Sequence, residues 1–176
     1  MAKAVFGGGC FWCLDAVFRR VKGVNNVVAG YAGGRRPNPS YEQVCTGVTG
    51  HAEVVEVEFD ENEITYSELL DIFFTIHDPT QLNRQGNDVG TQYRSIILYL
   101  NDDQKKEALI KVWQLKKSGT DAVTEIKKLE KFFPAEEYHQ NYFAKNPTQP
   151  YCVYVVGEKV NKFLKRYNEY SKDKNL

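Results

Sequence analysis

The chain has 176 residues, with 23 Lys+Arg set against 23 Asp+Glu, so its formal net charge is zero with histidine neutral. That length is most simply one domain with a sizeable core, here taken as residues 1–176. The charge balance offers no overall field for nucleic acid or an anionic membrane, and no apolar run reaches membrane-spanning length.

In chain order, Met1-Ala2-Lys3 leads into a short strand at Ala4-Val5-Phe6, without the apolar core of a signal peptide. Gly7-Gly8-Gly9-Cys10-Phe11-Trp12-Cys13 follows, and apolar residues then recur at Leu14, Val17, Phe18 and Val21, the spacing of an amphipathic helix. Cys10 is therefore expected where a strand ends, a glycine turn opens space and a helix begins. Unpaired N–H groups and partial positive charge at a helix start stabilise a thiolate and lower the thiol pKa. Phe11 and Trp12 beside it suggest the lining of an apolar pocket. The plainer accounts are an inert buried cysteine, a phosphate cradle or half a zinc site. The glycines lack the Lys-Ser/Thr pair of a P-loop and the spacing of a dinucleotide fingerprint. No second Cys-x-x-Cys accompanies the first.

Val24 to Tyr31 reads as a strand ending at Ala32-Gly33-Gly34. Arg35 and Arg36 in the next loop are either a small anion site or, more simply, a solvated turn. Tyr41-Glu42-Gln43-Val44-Cys45 follows, with Cys45 expected buried and structural. From His51 to Asp60, Val55, Val57 and Phe59 share one face of a strand, and Glu53 has their parity. An inward carboxylate should have a raised pKa, which suits a proton donor; a strand-end carboxylate tilted out to solvent is the equal alternative.

Thr65-x-x-Glu68 is a capping box for a helix carrying Leu69, Ile72, Phe73 and Ile76. The polar stretch from Thr80 to Arg94 is long for an idle loop and reads as part of a binding site. Ser95 to Leu100 is an apolar strand, and Asn101 caps a helix expected to turn Leu109, Val112 and Trp113 inward. Val123 to Ile126 suggests another strand, and Pro134 the first turn of a short helix with Tyr138, His139 and Tyr142. Tyr151 to Val156 reads as a last strand holding Cys152, and residues 157–176 as a peripheral basic amphipathic helix. Strands and helices in this order describe an α+β domain with a mixed or antiparallel sheet and its helices packed as a second layer.

Gly9-Cys10-Phe11-Trp12, Gly30-Tyr31-Ala32-Gly33-Gly34, Thr49-Gly50-His51-Ala52-Glu53, His77-Asp78-Pro79-Thr80, Gly86 to Ser95 and Tyr138-His139-Gln140 together resemble the A-type peptide methionine sulfoxide reductases. The resemblance runs from about Phe6 to about Cys152. It implies a two-layer α/β sandwich with a ferredoxin-like βαββαβ core, and a reductase of methionine S-sulfoxide, free or in proteins, that repairs oxidised proteins. By position, Cys10 is implied as nucleophile and Glu53 as acid. Tyr41, Asp88 and Tyr93 are implied around the sulfoxide oxygen, with Phe11 and Trp12 as a cage for the S-methyl group.

Such chemistry accounts for each residue type. A sulfoxide oxygen must accept a proton before a thiolate attacks its sulfur, and the cysteine is left as sulfenic acid, which a second thiol clears as a disulfide. Cys13 lies one helical turn from Cys10, where the family more often has glycine, and is near enough to resolve it. Cys152 matches the family's usual late resolving cysteine and is slightly preferred, with both able to act in sequence. No bound cofactor or metal is expected. Thioredoxin, or dithiothreitol in vitro, is the expected reductant and partner. Four unevenly spaced cysteines suit a reducing cytoplasm rather than a secreted scaffold, and a monomer is expected. The rivals are a thioredoxin-like disulfide oxidoreductase using Cys10 and Cys13, and a metal-binding module using these cysteines with a histidine.

Overall fold

The computed structural model describes residues 1–172. In chain order the elements are β1 (Ala2–Gly7), α1 (Phe11–Phe18), β2 (Val24–Ala32), α2 (Tyr41–Cys45), β3 (Ala52–Phe59) and α3 (Tyr66–Ile76). A short hairpin, β4 (Arg84–Gln85) with β5 (Asp88–Val89), precedes β6 (Ile96–Tyr99), α4 (Asp102–Lys117), β7 (Glu125–Lys128), β8 (Phe132–Pro134), α5 (Tyr142–Lys145) and α6 (Gly157–Arg166).

Six strands form a curled mixed sheet in the order β7-β6-β1-β3-β2-β8. All neighbours are antiparallel except β6 and β7. The two-residue period divides the side chains between two apolar layers. Phe6, Ala29, Tyr31, Val55, Val57 and Ile97 join Leu14, Phe18, Leu69, Phe73, Val160 and Phe163 from α1, α3 and α6 in the main core. Phe6 stacks on Phe73 at 4.9 Å and on Phe18 at 5.5 Å between ring centroids. Each such buried ring contributes about 1.5–3 kcal/mol. On the opposite face Val5, Ala32, Ala52, Val54, Ile96 and Leu98 are covered by Leu129 and Phe132.

Helix starts follow local chemistry. The hydroxyl of Thr65 accepts from the Glu68 N–H at 3.1 Å, while the Glu68 carboxylate accepts from the Thr65 N–H at 3.0 Å. Ser40 and Gln43 form a second capping box that opens α2, a helix the sequence reading did not single out. Asn101 caps α4, with Asp102 and Asp103 in its first turn and Lys116 and Lys117 in its last, each suited to the helix dipole.

Four expectations are corrected. Trp113 is 60% exposed and Leu109 is exposed too, because α4 packs through Gln104 and Ala108 and turns Leu109, Ile110 and Trp113 to solvent, while Val112 is half-buried. Residues 152–156 are π-helical rather than extended, and continue into α6. Their β-branched valines favour a strand locally. The Gln149 backbone carbonyl instead accepts the Val153 N–H at 3.0 Å and its side chain the Cys152 N–H at 3.1 Å, starting a helix whose buried side is Cys152, Val156, Val160 and Phe163. Pro134 ends β8 on the sheet edge rather than opening a helix. Cys45 is exposed, since it closes a one-turn helix at the surface. The terminal helix runs from 157 to 166 with Val160 and Phe163 in the main core, and the last four residues of the predicted stretch to 176 lie outside those described.

Candidate active site

Cys10 occupies the residue before α1, after a left-handed Gly9 at φ +86°, a conformation that glycine adopts without strain. The Gly9 N–H donates to the Tyr93 carbonyl at 3.1 Å, which ties this turn to the end of the long polar loop. Glu53 enters from β3 on the main-core face, as its parity predicts. Its Oε1 accepts the Phe11 N–H at 3.2 Å, the residue next to Cys10. Its Oε2 is buried and has no partner among the described residues.

Burial pushes the Glu53 pKa up to about 8, with the Phe11 N–H opposing and the Asp88 charge adding. The side chain is thus predominantly a neutral carboxylic acid at pH 7, and its unpartnered oxygen can carry the proton. Cys10 departs from expectation. Burial, then the Glu53 and Cys13 charges, raise its pKa well above the ordinary thiol range, against a smaller opposing effect of the Trp12 N–H. The field of the helix start is present but is outweighed by desolvation at a thiol only 9% exposed. The resting site is therefore thiol beside carboxylic acid.

Tyr41 and Tyr93 both lie within the Glu53 field. Burial first, then that charge, raises their pKa values, so both keep their hydroxyl protons. Asp88 accepts from the Tyr151 hydroxyl at 2.5 Å, which brings the β5 hairpin against the start of the π-helical turn. Trp12 is half-buried, stacked on Tyr142 at 3.7 Å with 5° between planes, and its indole N–H donates to His139 Nδ1 at 3.1 Å. Phe11 is fully buried instead, 5.0 Å from the His139 ring and 5.7 Å from Tyr31. Of the two predicted cage residues, Trp12 alone retains an exposed face.

The thiols form a series. The Cys13 N–H donates to the Cys10 carbonyl at 3.1 Å, one turn along. Burial raises the Cys13 pKa to about 11, while the Lys159 ammonium and the nearby Tyr151 hydroxyl pull it down. The Cys152 charge reaches Cys13, and Cys152 itself is fully buried. All four cysteines are free. Among the described residues no group of three or more His, Cys, Asp or Glu is placed to hold a metal ion, and no helix is long and apolar enough to cross a membrane.

The family model described as peptide methionine sulfoxide reductase matches residues 2–172. The chain belongs to that family. It is 75% identical over 172 residues to a peptide methionine sulfoxide reductase MsrA of Nautilia profundicola, covering 98% of this chain and 99% of the relative. Its fold is similar to that of reduced Mxr1 from Saccharomyces cerevisiae, with a TM-score of 0.77 and 39% identity over 84% of this chain and 87% of that one. Mxr1 in complex with Trx2 is also similar, with a TM-score of 0.55 and 28% identity over 80% and 84% of the two chains. This peptide methionine sulfoxide reductase homologue is thus an oxidoreductase.

Three contributors had no role assigned from sequence. Glu136 Oε1 accepts from the Tyr31 hydroxyl at 2.8 Å and Oε2 from the Tyr41 N–H at 2.9 Å, fixing the start of α2 against the sheet. Tyr142 stacks on Trp12, and Tyr151 bridges Asp88 and Cys13. All three depend on contacts across 60 or more positions, and only the placement of Tyr151 next to Cys152 offered a local hint.

Proposed function

We propose that this enzyme reduces methionine S-sulfoxide, free or within oxidised polypeptides, using Cys10 as nucleophile and Glu53 as acid. The observation that carries the reading is the buried Glu53 carboxyl, with one oxygen anchored by the Phe11 N–H and the other unpartnered beside Cys10. As Cys10 sulfur attacks the sulfoxide sulfur, Glu53 gives its proton to the sulfoxide oxygen and its carboxylate takes the thiol proton. The hydroxyl then passes to the Cys10 sulfur as the substrate's sulfur–oxygen bond and the transient bond between the two sulfurs break; methionine leaves as the thioether with the freed electron pair, and Cys10 is left as sulfenic acid. Tyr41, Tyr93 and Asp88 orient that oxygen, and Trp12 holds the methyl group.

The arrangement of the thiols supports Cys13 as first resolver. Its sulfur displaces hydroxide from the sulfenic acid, giving a Cys10–Cys13 disulfide and water. Cys152 then attacks Cys13, returning Cys10 as thiol, and a thioredoxin dithiol reduces the Cys13–Cys152 bond and becomes a disulfide itself. The complex of the homologous Mxr1 with Trx2 supports that reductant. We also read β1-α1-β2-β3-α3-β6 as a ferredoxin-like core, on the strand order β6-β1-β3-β2 and its antiparallel pairings.

A thioredoxin-like exchange enzyme is less well supported, because such motifs rely on a lowered thiol pKa and both Cys10 and Cys13 are raised. The experiment is an assay of each sulfoxide epimer with thioredoxin or dithiothreitol. Turnover of the S-epimer alone supports the reading, and turnover of insulin-type disulfides with neither epimer consumed overturns it.

A further inference from the structure

The charges of this electrically balanced chain are segregated at one place away from the thiols. The curled sheet brings its β7 edge against the end of β2, the strand next to the other edge, where the Lys127 ammonium donates to the Gly33 carbonyl at 3.1 Å. Two hollows of about 870 and 470 Å³ adjoin there and share Gly33, Gly34, Arg35 and Lys127. Their charged lining is Arg35, Arg36, Lys127, Lys128 and Lys131 against the single carboxylate Glu130. None of those five cations forms an ion pair among the described residues. Five cations against one carboxylate leave the groove with a net positive charge, and an anionic occupant relieves the repulsion among them.

The groove is joined to the thiol site by two short pieces of chain. Gln43 of α2 and Thr46 just after it line the groove, while Tyr41 of the same helix lies in the Glu53 field. Thr49 and Gly50 line it too, and the chain reaches Glu53 three residues on. We propose that the groove holds an acidic polypeptide segment adjoining the oxidised methionine, so that acidic stretches of damaged proteins are preferred substrates. Adjoining hollows of about 870 and 470 Å³ are far larger than a lone anion and suit a polypeptide segment, and cations on flexible stems suit a run of carboxylates. This inference rests on the reductase reading above.

The test uses two peptides of equal length, each with one methionine sulfoxide, one flanked by four glutamates and the other by four glutamines. The wild-type chain is compared with an Arg35→Glu/Arg36→Glu double variant, both positions being exposed. The expected result is a kcat/KM about tenfold higher for the acidic peptide at low salt, lost at high salt and lost or reversed in the variant, with the glutamine peptide unchanged. Equal kcat/KM for the two peptides in the wild type, or a preference that survives charge reversal, overturns the proposal. Fluorescence anisotropy of the same peptides with unoxidised methionine reads the groove independently of turnover. Charge-dependent binding without reduction leaves the groove standing and removes the reductase reading. Tighter binding of an oligonucleotide of equal charge overturns the acidic-peptide assignment.

Discussion

The Glu53 carboxyl accepts the Phe11 N–H at 3.2 Å, one residue past Cys10. This bond joins the start of β3 to the first turn of α1, so the fold's central strand pairings fix acid and thiol relative to each other. It also leaves the second carboxyl oxygen without a partner in a buried place, where the neutral form is favoured.

That burial makes stability depend on pH. Glu53 has a folded-state pKa of about 8 against 4.5 for the free group, so the folded state binds the extra proton between those values. Stability from this group is complete below pH 4.5, declines as pH rises, and is lost above about 8, by about 5 kcal/mol in full. Glu53→Gln removes the dependence. Urea denaturation at pH 6 and pH 9 should show a larger loss in the wild type than in the variant; equal losses would contradict a buried neutral acid.

Tyr151 serves both Asp88 and Cys13 through one hydroxyl. Tyr151→Phe removes the hydroxyl that Asp88 accepts from and whose neighbourhood lowers the Cys13 pKa. The expected outcome is disulfide formation slowed roughly tenfold, with methionine release in the first turnover affected less. Rapid quench with thiol alkylation separates the two steps, and an equal effect on both would remove Cys13 from the resolving role.

Trp12 is held by the Tyr142 stack and the His139 hydrogen bond. Apolar pockets discriminate a single methyl group by about 1–3 kcal/mol, so Trp12→Ala should lower kcat/KM for methionine sulfoxide by roughly 10–100-fold. Trp12→Phe, which keeps a ring but loses the N–H, should fall between. Steady-state kinetics reads both, and an unaltered kcat/KM in Trp12→Ala would take the indole out of the pocket.

Helices α4 and α6 make opposite predictions for large side chains. Trp113→Ala on exposed α4 should change stability by no more than about 0.5 kcal/mol. Phe163→Ala on α6, wholly within the main core, should cost about 3–5 kcal/mol. Chemical denaturation midpoints measure both, and a large cost at Trp113 would reverse the assignment of faces on α4.

The parts legible in the sequence are those governed by local rules. Parity put Glu53 with the apolar face but left a solvent-tilted carboxylate equally open, and the glycine turn placed Cys10 at the start of α1. Capping boxes began α3, and the order of elements indicated an α+β sheet. Illegible parts depended on distant partners. The valines of residues 153–156 carry a strand preference that core packing of Val156, Val160 and Phe163 overrides. The apolar residues of α4 suggested burial, yet the helix meets α3, β6 and β7 with Ala108 and Gln104 facing them, leaving Leu109, Ile110 and Trp113 to solvent. The Cys10 pKa was misread because a helix start is visible in sequence and desolvation is not. Tyr142 and Glu136 meet Trp12 and Tyr41 only after the chain has folded back across the sheet.

The central claim is that a neutral Glu53 protonates the sulfoxide oxygen as Cys10 attacks. Single-turnover release of methionine, followed from pH 6 to pH 10 in the wild type and in Glu53→Gln, tests it most directly. The account predicts a wild-type rate that falls as pH passes about 8 and a variant slower by on the order of a hundredfold at pH 7. A variant as fast as the wild type at pH 7 would contradict it.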